Sequence, residues 1–158
     1  MKKSTMILAI CALSIVFIGS AFAQTTTQSF NLAVNNIYKI GVSGNPSDMI
    51  ISTAVPGSDP TPVTNNSTTY NFTTNAKANG GAKITASLAP ALASGYTLKI
   101  ALDGGTAVDI STAAKDAVTN IAAGYYNGKT IDYTFSATAA AGPLTSTAEV
   151  VTFTVAGQ

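Results

Sequence analysis

The chain has 158 residues, of which 46% are hydrophobic and only 9% are charged, and its formal net charge is +1. It contains no histidine, no tryptophan and a single cysteine. This near-neutral composition argues against nucleic-acid binding, which needs a basic patch, and against charge-driven binding to an anionic membrane.

The first element along the chain is a predicted secretory signal peptide at residues 1–23. Lys2 and Lys3 supply its positive start, residues 6–18 its apolar segment, and the Ala-Phe-Ala tripeptide at 21–23 its small-x-small cleavage motif. The alternative is an N-terminal membrane anchor. It is disfavoured because the apolar run is shorter than the roughly 18–20 residues that a spanning helix needs.

The predicted mature chain, residues 24–158, is long enough for a single domain. Its six lysines stand against seven acidic residues, because two of the eight lysines belong to the signal peptide. Cys11 also lies in the signal peptide, so the domain is expected to fold in an oxidising compartment without a disulfide. We expect the protein to be exported to the periplasm, the cell surface or the extracellular space, with no membrane span in the mature chain.

Short alternating runs rich in threonine and β-branched residues predict β-strands, because stiff β-branched side chains pack well on a pleated backbone. The predicted strands, in chain order, are 29–34, 37–42, 49–54, 69–74, 82–88, 97–102, 107–110, 118–122, 130–138 and 149–155. Stretches rich in Gly, Asn and Pro predict the turns between them. These turns are 43–48, 55–62, 75–81, 103–105, 126–128 and 139–146.

Two hairpins are predicted, one across the turn at 103–105 and one joining 130–138 to 149–155 through a Gly-Pro turn. Residues 112–118 are a candidate for a turn or two of helix, or for a crossover between two sheets. Short strands at roughly 8–12-residue spacing indicate an all-β sandwich of about 7–9 strands. The predicted core consists of Phe72, Ile84, Leu88, Leu98, Ile100, Leu102, Tyr133, Phe135, Val151, Phe153 and Val155.

An outer-membrane barrel is the rival architecture. It would need strands of about ten residues with an apolar outer face and aromatic girdles. The predicted strands are shorter, and their outward positions are Thr, Ser, Lys and Asp. The sandwich is therefore the preferred prediction.

The predicted first strand of the mature chain places Phe30, Leu32 and Val34 on one face. It can belong to the chain's own sheet or be donated to a neighbouring molecule, which makes these three residues the candidate assembly site. Their burial would contribute roughly 1.5–3 kcal/mol each, whereas joining two molecules costs about 4–15 kcal/mol. The intramolecular strand avoids that cost and is preferred.

The mature chain lacks the side chains that most catalytic and metal sites need. Without His or Cys it can form neither a Ser-His-Asp nor a Cys-His arrangement, and it loses the preferred zinc ligands. Asp103 and Asp109 flank one hairpin but lack calcium-site spacing, so a turn residue and a surface residue explain them better. We therefore predict no enzyme activity, no cofactor and no metal.

Tyr125 and Tyr126, before the Asn-Gly pair at 127–128, are the candidate loop contact for a glycan or a partner. The preferred alternative is that one ring packs inward while the other caps the hairpin, because neighbouring strand residues face opposite sides.

The signal peptide, the alternating "SFNLAV" at 29–34 and the closing "AEVVTFTV" at 148–155 resemble the small secreted pilin-like proteins of chaperone-usher fimbriae and the spore-coat-U-like proteins. The chain departs from them in lacking paired cysteines and an aromatic-containing C-terminus. The resemblance implies an immunoglobulin-like or pilin-like sandwich in which an N-terminal extension completes a neighbour's sandwich.

These features predict a non-enzymatic exported structural or adhesive surface protein, as a fibre or pilus-like subunit that associates with itself or with another surface protein. The alternative is a monomeric periplasmic or secreted binding module that uses its end loops. A third hypothesis, an enzyme acting through carboxylates, would require acidic residues to converge in a cleft.

Overall fold

A computed structural model of the chain describes residues 24–77 and 80–158, so the predicted signal peptide at 1–23 lies outside the described residues. The chain divides into two units, Met1–Ala33 and Val34–Gln158. Residues 24–33, the described part of the first unit, form neither helix nor strand. The second unit contains the strands β1 (Tyr38–Val42), β2 (Val63–Thr74), β3 (Ala82–Ala89), β4 (Tyr96–Leu102), β5 (Val108–Ile110), β6 (Lys115–Ile121), β7 (Gly124–Ala137) and β8 (Val150–Gly157), with one turn of 3-10 helix at Ala139–Ala141.

The strands form two antiparallel sheets. One has five strands in the order β1-β2-β7-β4-β5, and the other has three in the order β6-β3-β8. Their apolar faces share one hydrophobic core. The predicted all-β sandwich is therefore confirmed, and the eight described strands fall within the predicted number.

The core follows the two-residue period of the strands. In β3, Ala82, Ile84, Ala86 and Leu88 are buried while the residues between them are half-buried. Ile100 of β4 and Ile131 of β7 are fully buried on the five-stranded sheet. Most of the predicted core is buried as expected, but four of its members are only half-buried: Phe135, Val151, Phe153 and Val155.

The predicted hairpin between 130–138 and 149–155 is wrong. β8 pairs with β3 along its whole length, from Ala82 opposite Gly157 to Ala89 opposite Val150, whereas β7 lies in the other sheet between β2 and β4. The segment 138–149 therefore passes from one sheet to the other. A Gly-Pro signal marks where a chain reverses, but it does not determine which strand becomes the partner. The hairpin across 103–105 is confirmed, since β4 pairs with β5.

Two other predicted elements are not formed. Residues 49–54 contain only one bridge, between Ala54 and Pro60, and form no continuous strand. The candidate helix at 112–118 is absent, since β6 begins at Lys115 and residues 111–114 carry the chain between the sheets. The crossover alternative for that segment is confirmed.

The predicted turn at 126–128 is a bulge within the continuous strand β7. Phe72 lies opposite Tyr126 and Tyr70 lies opposite Lys129, so β7 carries one residue more than β2 between these pairs. Gly128 has φ +62°, a left-handed conformation that glycine adopts without a steric penalty. The Asn-Gly pair therefore indicates a position that requires glycine, but this position is a bulge and the strand continues beyond it.

Substitution of Gly81 by alanine is expected to lower the free energy of unfolding by about 3 kcal/mol or more. Gly81 precedes β3 with φ +85°, and an added Cβ would collide with the carbonyl oxygen of Ile121. Gly104→Ala is the matched control, because φ is +71° there but the space for a Cβ is open. The control should lose only about 1 kcal/mol in urea unfolding followed by circular dichroism. Equal losses would contradict the proposed collision.

Candidate functional site

The strand β8 is an edge of the three-stranded sheet. Its one side pairs with β3. Within residues 24–77 and 80–158, no strand pairs with its other side. Such an edge presents a row of backbone N–H and C=O groups that a further strand can pair with.

The inward side chains of β8 are less covered than those of its neighbour. Val151, Phe153 and Val155 pack against the core but remain half-buried, whereas Ile84 and Leu88 of β3 are almost completely buried. The residues between them on β8 are exposed at Thr152 and Thr154. The apolar side chains of the edge strand β8 are therefore less well covered than those of the central strand β3.

The sandwich differs between its two lateral sides. At one side, residues 111–114 cross between the sheets, and Ser111 accepts a hydrogen bond from the Leu88 amide at 2.8 Å. At the other side, β1 and β8 are the edges of their sheets. They approach closely at one end, where the Tyr38 hydroxyl occupies the space that a side chain at Gly157 would need. The β1–β8 side is thus where each sheet ends in an edge strand.

The predicted strand at 29–34 is not formed. The structure has no strand anywhere in residues 24–37. The preferred alternative, a strand within the chain's own sheet, is thus not what the structure shows. Phe30, Leu32 and Val34 are 75%, 86% and 82% exposed. Three large apolar side chains at alternate positions of an unpaired segment are costly to leave in water, which makes this segment a candidate for contact with another molecule.

Asn75 holds the chain immediately before β1. Its side-chain Oδ1 accepts a hydrogen bond from the Ile37 amide at 2.7 Å, and its Nδ2 donates one to the Asn35 carbonyl at 2.9 Å. Through these two bonds, the Asn75 side chain binds backbone groups of residues 35 and 37 and holds this segment against the domain. Sequence reasoning placed Asn75 only in a turn, and no local pattern indicates such a long-range bond.

The structure separates the two tyrosines of the candidate loop contact. The Tyr126 ring stacks on Phe72 with centroids 4.2 Å apart, and its hydroxyl donates to the Ala122 carbonyl at 3.0 Å. Tyr125 is 78% exposed. One ring therefore packs inward, as the alternative expected. Both residues lie within β7, however, so neither caps a hairpin and the two rings do not form a joint contact surface.

The acidic residues considered for calcium or carboxylate catalysis pair with different lysines. Asp103 lies 2.7 Å from Lys129, and Asp109 lies 3.6 Å from Lys99. In the described parts of the chain, no group of three or more His, Cys, Asp or Glu residues is placed to hold a metal. Asp103 also acts on Tyr70: burial first, and the Asp103 charge second, raise the pKa of Tyr70 to about 12, so this phenol stays neutral near pH 7.

Comparison with known proteins gives no match to a protein-family model and none to a curated protein. Across residues 24–77 and 80–158, no helix combines the length and the apolar character needed to cross a membrane. The features that point to a function are the free edge of β8 and the exposed apolar segment at 29–34.

Proposed function

We propose that the protein is a non-enzymatic structural subunit that is exported and assembles into a fibre at the cell surface. In this assembly, the segment 29–34 of one copy adds a strand to the free edge of β8 in the next copy. The observation that carries the proposal concerns residues 24–77 and 80–158, which contain both an exposed apolar segment that pairs with no strand and a free edge, that of β8, with half-buried inward side chains. The resemblance to pilin-like proteins supports it.

The two surfaces have matching periods. A strand at 29–34 would place Phe30, Leu32 and Val34 on one face, every second residue. The half-buried side chains of β8 are spaced in the same way, at Val151, Phe153 and Val155. An added strand would therefore cover the half-buried side chains of β8 with apolar side chains while its polar residues face solvent.

The energies favour addition of a whole strand over contact through side chains alone. Burial of three apolar side chains contributes about 5–9 kcal/mol. A ladder of about six backbone hydrogen bonds adds roughly 6 kcal/mol net. Together these terms are comparable with the association cost of about 4–15 kcal/mol. The backbone ladder is thus as important to the proposed contact as the apolar residues.

The purified mature protein is expected to form fibres that electron microscopy detects, and either Leu32→Asp or deletion of residues 24–36 is expected to abolish them. The aspartate would bring an unpaired charge into the apolar face of the added strand. The matched control is Asn31→Asp, which adds the same charge one residue earlier on the face that stays in solvent and should leave fibres intact.

Two results would contradict the proposal. One is a wild-type protein that remains a sharp monomer in gel filtration and forms no fibres at any concentration. That result would favour the binding-module alternative, in which the exposed Tyr125 ring is the contact to test. The other is normal fibre formation by the chain that lacks residues 24–36, which would show that a different surface connects the copies.

A further inference from the structure

The bulge in β7 contains a chemically sensitive dipeptide. In an Asn-Gly pair, the missing glycine side chain lets the backbone nitrogen approach the preceding side-chain amide. Asn127 is exposed, and it is followed by Gly128 in the bulge. The Gly128 N–H donates a hydrogen bond to Oδ1 of Asn71 on the neighbouring strand β2, at 2.6 Å.

We propose that Asn127 is a site of spontaneous deamidation and that Asn71 limits its rate. In this reaction the Gly128 nitrogen attacks the Asn127 side-chain carbon, the nitrogen loses its proton, and ammonia leaves to give a cyclic succinimide. Water then opens the ring to aspartate or isoaspartate. The attack requires the nitrogen whose proton Asn71 binds, so this hydrogen bond opposes the first step.

The pairing of β2 with β7 around the bulge also supports a slow reaction at Asn127. Tyr126 and Lys129, on either side of the bulge, are held opposite Phe72 and Tyr70. The backbone of β7 is therefore fixed at both ends of the bulge, and the Asn71 side chain fixes the nitrogen between them. Opening to isoaspartate would lengthen the backbone of β7 inside this pairing. The reaction would thus alter the register between β2 and β7, in a sheet that carries the core.

Asn71→Ala is expected to raise the deamidation rate at Asn127 about five- to tenfold, the factor that one hydrogen bond accounts for. The purified protein is incubated at mildly alkaline pH, digested, and followed by mass spectrometry of the peptide that contains Asn127. The other Asn-Gly pair of the sequence, 79–80, is measured in the same digest and should not change its rate. Asn71→Asp, which keeps an acceptor oxygen, should remain close to wild type.

A wild-type rate at Asn127 in a folded Asn71→Ala protein would overturn the proposal. So would an Asn71→Asp protein that deamidates as fast as the alanine variant, because loss of the acceptor would then not be the cause. Hydrogen exchange of the wild-type protein gives a test that does not depend on whether a variant folds. The Gly128 amide should exchange far more slowly than in the urea-unfolded chain, and equal exchange would also overturn the proposal.

Discussion

Replacement of Ile84 by alanine is expected to lower the free energy of unfolding by about 3–4 kcal/mol. Ile84 has no exposed surface and lies on β3, the central strand of the three-stranded sheet. Truncation would remove its contacts with the core and leave a cavity that the paired strands on either side cannot close. Urea unfolding followed by far-ultraviolet circular dichroism measures the change.

Ile50→Ala is the matched control for this prediction, because it removes the same atoms from a side chain that is 70% exposed. A surface substitution of this kind should change the free energy of unfolding by less than about 0.5 kcal/mol. Similar losses for the two variants would show that the three-stranded sheet does not cover the core as described.

The sequence was sufficient to locate strands whose alternation is strong and whose ends carry turn residues. The prediction for 82–88 matches β3, in which every second residue is buried, and the Asp-Gly-Gly turn correctly joins β4 to β5. In both cases the deciding interactions are local, since a two-residue period and a tight turn are set by neighbouring residues. Sequence patterns therefore predicted correctly those elements that interactions between neighbouring residues determine.

Strand partners could not be obtained in this way. The alternation in β8 fits β3 as well as β7, and the choice between them depends on how two whole sheets pack. The same limit explains the segment 29–34, whose alternation is as regular as that of a strand but which has no partner in residues 24–77 and 80–158. An alternating pattern indicates that a segment can pair, but it does not specify a partner.

The candidate site combines a feature that a local pattern predicts with one that depends on the order of the strands. Phe30, Leu32 and Val34 could be identified from the sequence because their pattern is local. The edge position of β8 could not, because it follows from the order of strands in the sheet. The two bonds of Asn75 to residues 35 and 37 join positions about forty residues apart, and no short pattern encodes them.

A peptide with the sequence of residues 26–36 is expected to stabilise the chain that lacks residues 24–36. If the peptide adds a strand to the free edge of β8, it binds the folded domain and not the unfolded chain. At one hundred times its dissociation constant, it should then raise the free energy of unfolding by about 2.7 kcal/mol. Thermal unfolding at increasing peptide concentration measures the effect, which should grow logarithmically once the site is filled.

A peptide carrying Leu32→Asp should give little stabilisation, whereas one carrying Asn31→Asp should act like the natural sequence, because Leu32 lies on the face that would be buried and Asn31 lies on the opposite face. Equal effects of all three peptides would indicate binding without a defined strand register and would contradict the proposed site. This experiment separates the contact from polymerisation, since a single peptide can fill the edge of β8 without joining two copies. Stabilisation in the absence of fibres would therefore retain the edge as a binding site while rejecting its use in a filament.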